Sequence, residues 1–163
     1  HLDDGDLVFR RGRDLMSALV LRQGSGSRFS HVGMVVREAD RVDVVHAMPD
    51  EPGRPGGVRR ESLQAFLALP LASDAASLRA PALGLRQQAA LRSYLLSRIG
   101  SPFDNAFELS DDSRLYCTEV AIAALAAAGV QLRPATQVAP LLREPVVTPD
   151  GLFHATGLHP MPR

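Results

Sequence analysis

A single cysteine, Cys117, stands in the run Tyr116-Cys117-Thr118-Glu119-Val120-Ala121. That run opens the most apolar helix predicted in the chain. The first-turn N–H groups of a helix lack partners within it, and the positive end of the helix dipole lies there. Both effects lower a thiol pKa and raise the thiolate fraction near neutral pH. The same N–H groups can hold the oxyanion formed when sulfur attacks a carbonyl. The competing reading is structural: cysteine often behaves as a small buried hydrophobe.

A nucleophilic thiol needs a base within hydrogen-bond reach, and the base needs a partner that orients it. His31 and His46 are the candidates. They lie in two strand-like runs, residues 29–36 and 42–47, joined by a polar turn over 37–41. With the turn centred on Ala39-Asp40, Gly33 faces His46 and His31 faces Met48. These four residues then share one face, and the two rings are diagonal neighbours with Gly33 leaving room between them. A register displaced by two residues would pair His31 with His46 directly. A displacement of one would put them on opposite faces. The alternating positions Val32, Met34, Val36, Val45 and Ala47 are apolar, so both faces are expected to be covered. Two imidazoles stand out in such a setting, although either one alone reads as a satisfied, half-buried strand histidine.

Cys117 with the two histidines also matches the ligand types of an open zinc site. Their long-range spacing fits no compact zinc pattern, and neither a metal nor a cofactor is expected. His154 and His159 fall in a Pro-rich tail and read as surface residues. His1 in place of an initial Met reads as the remnant of a removed leader or tag.

The elements that must position these residues follow from periodicity and breakers. Residues 7–9 form a short buried strand. Residues 14–21 form a short helix with Asp14 as N-cap, and 23–27 a loop. After the hairpin comes a Pro/Gly-rich loop over 48–57, placed to form a pocket rim. Val58 starts a further strand, and 61–69 form a helix. A short strand lies near 77–79. Residues 85–99 form the clearest helix, stopped by Gly100 and Pro102. Residues 115–128 form the Ala-rich helix that carries Cys117 and ends at Gly129. Val146-Val147 is a last strand candidate. Hairpin-connected strands with helices before, between and after them read as an α+β fold with an antiparallel sheet.

Composition excludes several function classes. At 163 residues the chain has the length of a single domain, 1–163. Its 18 basic residues balance 18 acidic ones, so there is no electrostatic footprint for nucleic acid or an anionic membrane. Every basic residue is Arg, which removes Lys Schiff-base and P-loop chemistry. One cysteine excludes an internal disulfide and any CxxC site. The longest apolar run, 120–130, has only about half the length of a bilayer span. Gly24-Ser25-Gly26 precedes no helix and is no phosphate loop.

Several segments, in this order, resemble the circularly permuted papain-like cysteine hydrolases of the NlpC superfamily, in their YiiX/YebB-like branch. The lecithin–retinol acyltransferase-like proteins are relatives of that group. The segments are Gly5-Asp6-Leu7-Val8-Phe9, Phe29-Ser30-His31-Val32-Gly33-Met34-Val35 and Val44-Val45-His46-Ala47. Then come Gly57-Val58, Glu61-Ser62-Leu63, Gly100-Ser101-Pro102-Phe103-Asp104 and Leu115-Tyr116-Cys117-Thr118-Glu119-Val120. The resemblance implies a permuted papain-like (NlpC-like) fold, with the base on an early hairpin and the nucleophile Cys at the N-terminus of a later, buried helix. It implies Cys117 as nucleophile, His31 as base and His46 as the third polar residue. That third position is often Glu in this branch. A neutral imidazole can accept the hydrogen bond but stabilises an imidazolium less than a carboxylate does. Tyr116 is implied at the oxyanion and substrate pocket, with packing as the alternative. Glu119 reads as an ion-pair partner for an Arg, and Asp104 and Asp6 as turn residues.

The implied activity is a cysteine hydrolase, amidase or peptidase, acting through a thioacyl intermediate. Its substrate would be a small peptide, an N-acyl or lipid-linked amide, or a cell-wall fragment. An acyltransferase and a non-catalytic binding module with the same fold are the alternatives. The resemblance and the missing Met point to a bacterial, exported protein.

Overall fold

The turn at Ala39-Asp40 closes the hairpin on which the sheet is built. In the computed structural model, which describes residues 1–13, 27–138 and 142–162, β2 (His31–Glu38) pairs antiparallel with β3 (Arg41–Met48). Met34 faces Val45 and Glu38 faces Arg41, the register expected from the sequence. Ala39 takes a φ of 50°, the left-handed conformation that tight hairpin turns require.

Strand β1 (Leu7–Gly12) lies on the other side of β2, and β4 (Gly57–Ser62) on the outer side of β3. β5 (Ala72–Arg79) pairs with β1, and β6 (His159–Pro160) with β5. All pairings are antiparallel, in the order β4-β3-β2-β1-β5-β6. Alternation along the strands creates two apolar layers. Leu7, Phe9, Val32, Met34, Val36, Val45 and Ala47 face α2 (Leu85–Arg98) and α3 (Cys117–Ala127). Leu91 and Leu95 of α2 are fully buried there. Each such side chain contributes roughly 1.5–3 kcal/mol. On the other face, Val8, Val35 and Val44 pack under Phe66 of the short helix α1 (Leu63–Phe66).

Helix α3 begins where the sequence places it. Tyr116 is its N-cap, and Glu119 Oε2 accepts the Tyr116 N–H at 2.8 Å. Glu119 is therefore a capping carboxylate and not the expected ion-pair partner; no Arg pairs with it among the described residues. A Glu at the third helical position reaches back to the N-cap amide more readily than out to a surface cation. Thr118 Oγ1 donates to the Val147 carbonyl at 2.8 Å. At the other end Gly129 takes a φ of 77°, and Val130 N–H donates to the Leu125 carbonyl at 2.9 Å. The start of β2 is also pinned. Asp150, in α4 (Pro149–Phe153), accepts the N–H groups of Arg28 and Phe29 at 2.9 Å each. Ser30 N–H donates to the Arg10 carbonyl at 3.1 Å.

Elsewhere the sequence reading needs correction. The helix expected over 61–69 is mostly absent, because Glu61 and Ser62 extend β4 against Val44 and Asp43. Ser62 Oγ then accepts the Ala65 N–H and caps a helix of only 4 residues. β5 starts well before the short strand expected near 77–79. Val146 makes an isolated bridge with Gln137 and no strand. The helix expected over 14–21, and all but the end of the loop after it, lie outside the described residues. Among the described residues no helix is long and apolar enough to cross a membrane.

Two outcomes are expected. A Cβ on Gly33 would lie 2.2 Å from Val44 Cγ1 and 3.1 Å from His46 Cβ. Gly33→Ala should therefore lower unfolding free energy by about 1–3 kcal/mol in urea titration. Burial raises the Glu119 carboxyl from 4.5 to about 8, with Asp104, Asp112 and Asp111 adding to the rise. The native state thus keeps a proton that the unfolded chain loses, so this group's contribution falls as pH rises from 4.5 towards 8. Glu119→Gln keeps the cap without the charge. Its stability relative to the parent should rise across that window and stay flat below it.

Candidate active site

The hairpin register sets the two imidazoles side by side. His31 Nε2 lies 2.8 Å from His46 Nδ1, with ring centroids 5.0 Å apart. Phe66 packs against both rings, at 5.6 Å from His31 and 5.0 Å from His46. Both histidines are buried, His46 completely. Burial holds His31 well below its ordinary 6.5, and His46, Arg10 and Arg59 push the same way. Burial also lowers His46, against an opposing pull from Glu61. Both rings are neutral at neutral pH.

Glu61 is the residue that sequence reasoning missed. Its Oε2 lies 3.6 Å from His46 Nε2, an ion-pair distance longer than a hydrogen bond. Arg59 Nε stands 2.7 Å from Glu61 Oε1, and Arg54 Nη1 3.4 Å from the same atom. The His46 contact, with Arg59 and Arg54 beyond it, lowers the Glu61 carboxyl to about 2 despite partial burial. Placing Glu61 in a helix hid this. Read as a strand starting at Val58, the segment puts Arg59 opposite His46 and Glu61 on the same face.

Cys117 is the first residue of α3 and is 9% exposed. The N–H groups of Val32, Thr118 and Cys117 itself surround the sulfur and favour the thiolate. Burial outweighs them and pushes the thiol from 9.0 to about 11, with Glu119 adding to the rise. The expected lowering by the helix terminus is overturned, because three amides do not replace the lost hydration of a buried charge. Cys117 belongs to the α2/α3 core with Val32, whereas the imidazoles lie on the Phe66 face. The sulfur lies against the amide of Val32, the residue that follows His31 in β2. No hydrogen bond joins the sulfur to either imidazole among the described residues. With Nε2 of His31 facing His46, Nδ1 is the ring nitrogen that this contact leaves free.

Tyr116 is buried, and its hydroxyl accepts the Val147 N–H at 3.3 Å. Its ring packs against Phe107 at 5.2 Å. Asp104 accepts the N–H groups of Ala106 and Glu108 at 2.9 and 2.6 Å. Asp6 accepts the Asp3 N–H at 2.8 Å and pairs with Arg79 at 2.6 Å. In the loop after β3, Glu51 pairs with Arg59 at 3.0 Å, which ties that loop to β4 beside Glu61. His154 and His159 are exposed.

A family profile described as "permuted papain-like amidase enzyme, YaeF/YiiX, C92 family" matches residues 1–157. A comparison with curated protein sequences finds no match. The fold is similar to a crystal structure described as that of the metalloprotein yiiX from Escherichia coli O157:H7, DUF1105. The TM-score is 0.81 at 24% identity, covering 99% of this chain and 97% of that one. Among the described residues here, no group of three or more His, Cys, Asp or Glu side chains is placed to hold a metal ion. The profile covers nearly the whole length, and the sheet and helices match the fold it describes: the chain belongs to the C92 peptidase family of permuted papain-like amidases and is a cysteine hydrolase.

Proposed function

We propose that the protein cleaves an amide bond in a small peptide, N-acyl amide or cell-wall fragment, with Cys117 as nucleophile, His31 as base and His46 as its orienting partner. The observation that carries this reading is the 2.8 Å contact between His31 Nε2 and His46 Nδ1. It leaves Nδ1 of the first imidazole for the thiol whose sulfur lies against the next residue's amide.

The resting pair is neutral. On substrate binding the Cys117 proton passes to His31 Nδ1 as the sulfur bonds to the carbonyl carbon. The carbonyl oxygen takes the negative charge and is held by backbone N–H groups around Cys117. Collapse of the tetrahedral species breaks the C–N bond, and His31 gives its proton to the leaving amine. Water, deprotonated by His31, then attacks the thioester and releases the acid and the thiol. Tyr116 precedes the nucleophile, and its hydroxyl accepts the Val147 N–H while keeping its own proton to donate.

Mass spectrometry after incubation with activated N-acyl and peptide substrates should find an acyl adduct on Cys117. Cys117→Ser and His31→Ala should each lower kcat by about 10³-fold or more while circular dichroism stays unchanged. An unmodified Cys117, with turnover absent across both substrate classes, would favour the non-catalytic binding module. Because His31 stays neutral well below 6.5, the acid limb of kcat/KM should lie below pH 6.5. Because the free thiol is pushed to about 11, native iodoacetamide labelling should still be rising with pH above 9. A labelling midpoint below about 8.5 would instead indicate a preformed thiolate–imidazolium pair.

A further inference from the structure

Two buried imidazoles and a partly buried carboxylate form a line across the sheet: His31, His46 and Glu61. Each spacing constrains where protons sit. Neutral imidazole has one N–H and one lone pair, and an ionised carboxylate only accepts. Glu61 is ionised and held by Arg59 and Arg54. His46 Nε2 faces that carboxylate at 3.6 Å and is buried with no hydrogen-bond partner. A lone pair pointed at a carboxylate with no other donor in reach is repelled, whereas an N–H there is attracted. Resting on the cysteine-hydrolase reading above, we infer that Glu61 is a positioning residue: it fixes His46 as the Nε2–H tautomer and, through His46, makes His31 present a bare Nδ1 to Cys117.

The chain of consequences has one branch. If His46 carries its proton on Nε2, its Nδ1 is a lone pair. The contact at 2.8 Å is a hydrogen bond only if His31 donates from Nε2. Neutral His31 then has its lone pair on Nδ1, the nitrogen that must take the thiol proton. Inverting the His46 tautomer reverses every step and leaves N–H facing sulfur, where no proton can be accepted. Glu61 touches neither the reacting atoms nor the base. It acts through His46 and replaces at one remove the carboxylate that a His–His pair lacks. Arg59 stands opposite His46 in the β3–β4 register and keeps the carboxylate ionised.

Long-range 1H–15N correlation spectra of the full chain distinguish protonated from bare ring nitrogens. The parent should show Nε2–H with bare Nδ1 on both rings. Glu61→Leu should give mixed tautomers at His46 and, given a substrate, lower kcat at least about tenfold. Glu61→Gln, whose carbonyl still accepts, should restore the Nε2–H tautomer and part of kcat. The His46 Nε2–H resonance should move upfield in Glu61→Gln, because a neutral acceptor bonds more weakly than a carboxylate. Unchanged tautomers in a folded Glu61→Leu protein would overturn the inference. If that variant does not fold, an unmoved His46 resonance in Glu61→Gln does the same. The spectra need no turnover, so an inactive protein with shifted tautomers would sink the reaction and keep the role of Glu61.

Discussion

Two neutral imidazoles can lie side by side in an apolar layer only when an N–H of one meets a lone pair of the other. Away from water, any other pairing leaves two buried polar atoms unsatisfied, at about 1–3 kcal/mol each. The contact between His31 and His46 makes this demand, and much of the structure meets it. The turn at Ala39-Asp40 sets the register, and Gly33 gives up its side chain so that Val44 and His46 can close over that position. Phe66 packs against both rings, and β4 brings a carboxylate to the far nitrogen.

At Cys117 two opposed effects act on one sulfur. The helix start supplies amide donors, and the core removes water. The core wins, which fits a hydrolase whose nucleophile is made at the moment of attack and not stored as a thiolate. A neutral thiol is also a poorer target for oxidants and stray electrophiles, since the thiolate is the reactive form. Glu119 shares in this balance. It caps the helix through the Tyr116 amide, and once ionised its charge disfavours the thiolate two residues away.

What was legible in the sequence was whatever local rules decide. The His31/His46 geometry follows from a two-residue turn and period-two alternation, and neither depends on the rest of the fold. The start of α3 follows from the apolar run after Tyr116, and its end from Gly129. Glu61 was illegible because residues 61–69 have helical spacing, while pairing with β3 claims the first two of them as strand. Tertiary pairing overrides local propensity in such places. The thiol shift depends on how much water the packed core excludes, which composition alone does not report, whereas the partner of Glu119 follows a capping rule that the spacing from Tyr116 already carried.

The Asp150 carboxylate grips the amides of Arg28 and Phe29, 122 and 121 positions earlier in the chain. During synthesis at about 5–20 residues per second, that grip waits roughly 6–24 s after those amides are made. Contacts this distant along the chain slow folding, because the loop must close before it is rewarded. The strand that carries His31 is thus the last part of the hairpin to be clamped, and a nascent chain on the ribosome holds both histidines before it holds a working enzyme.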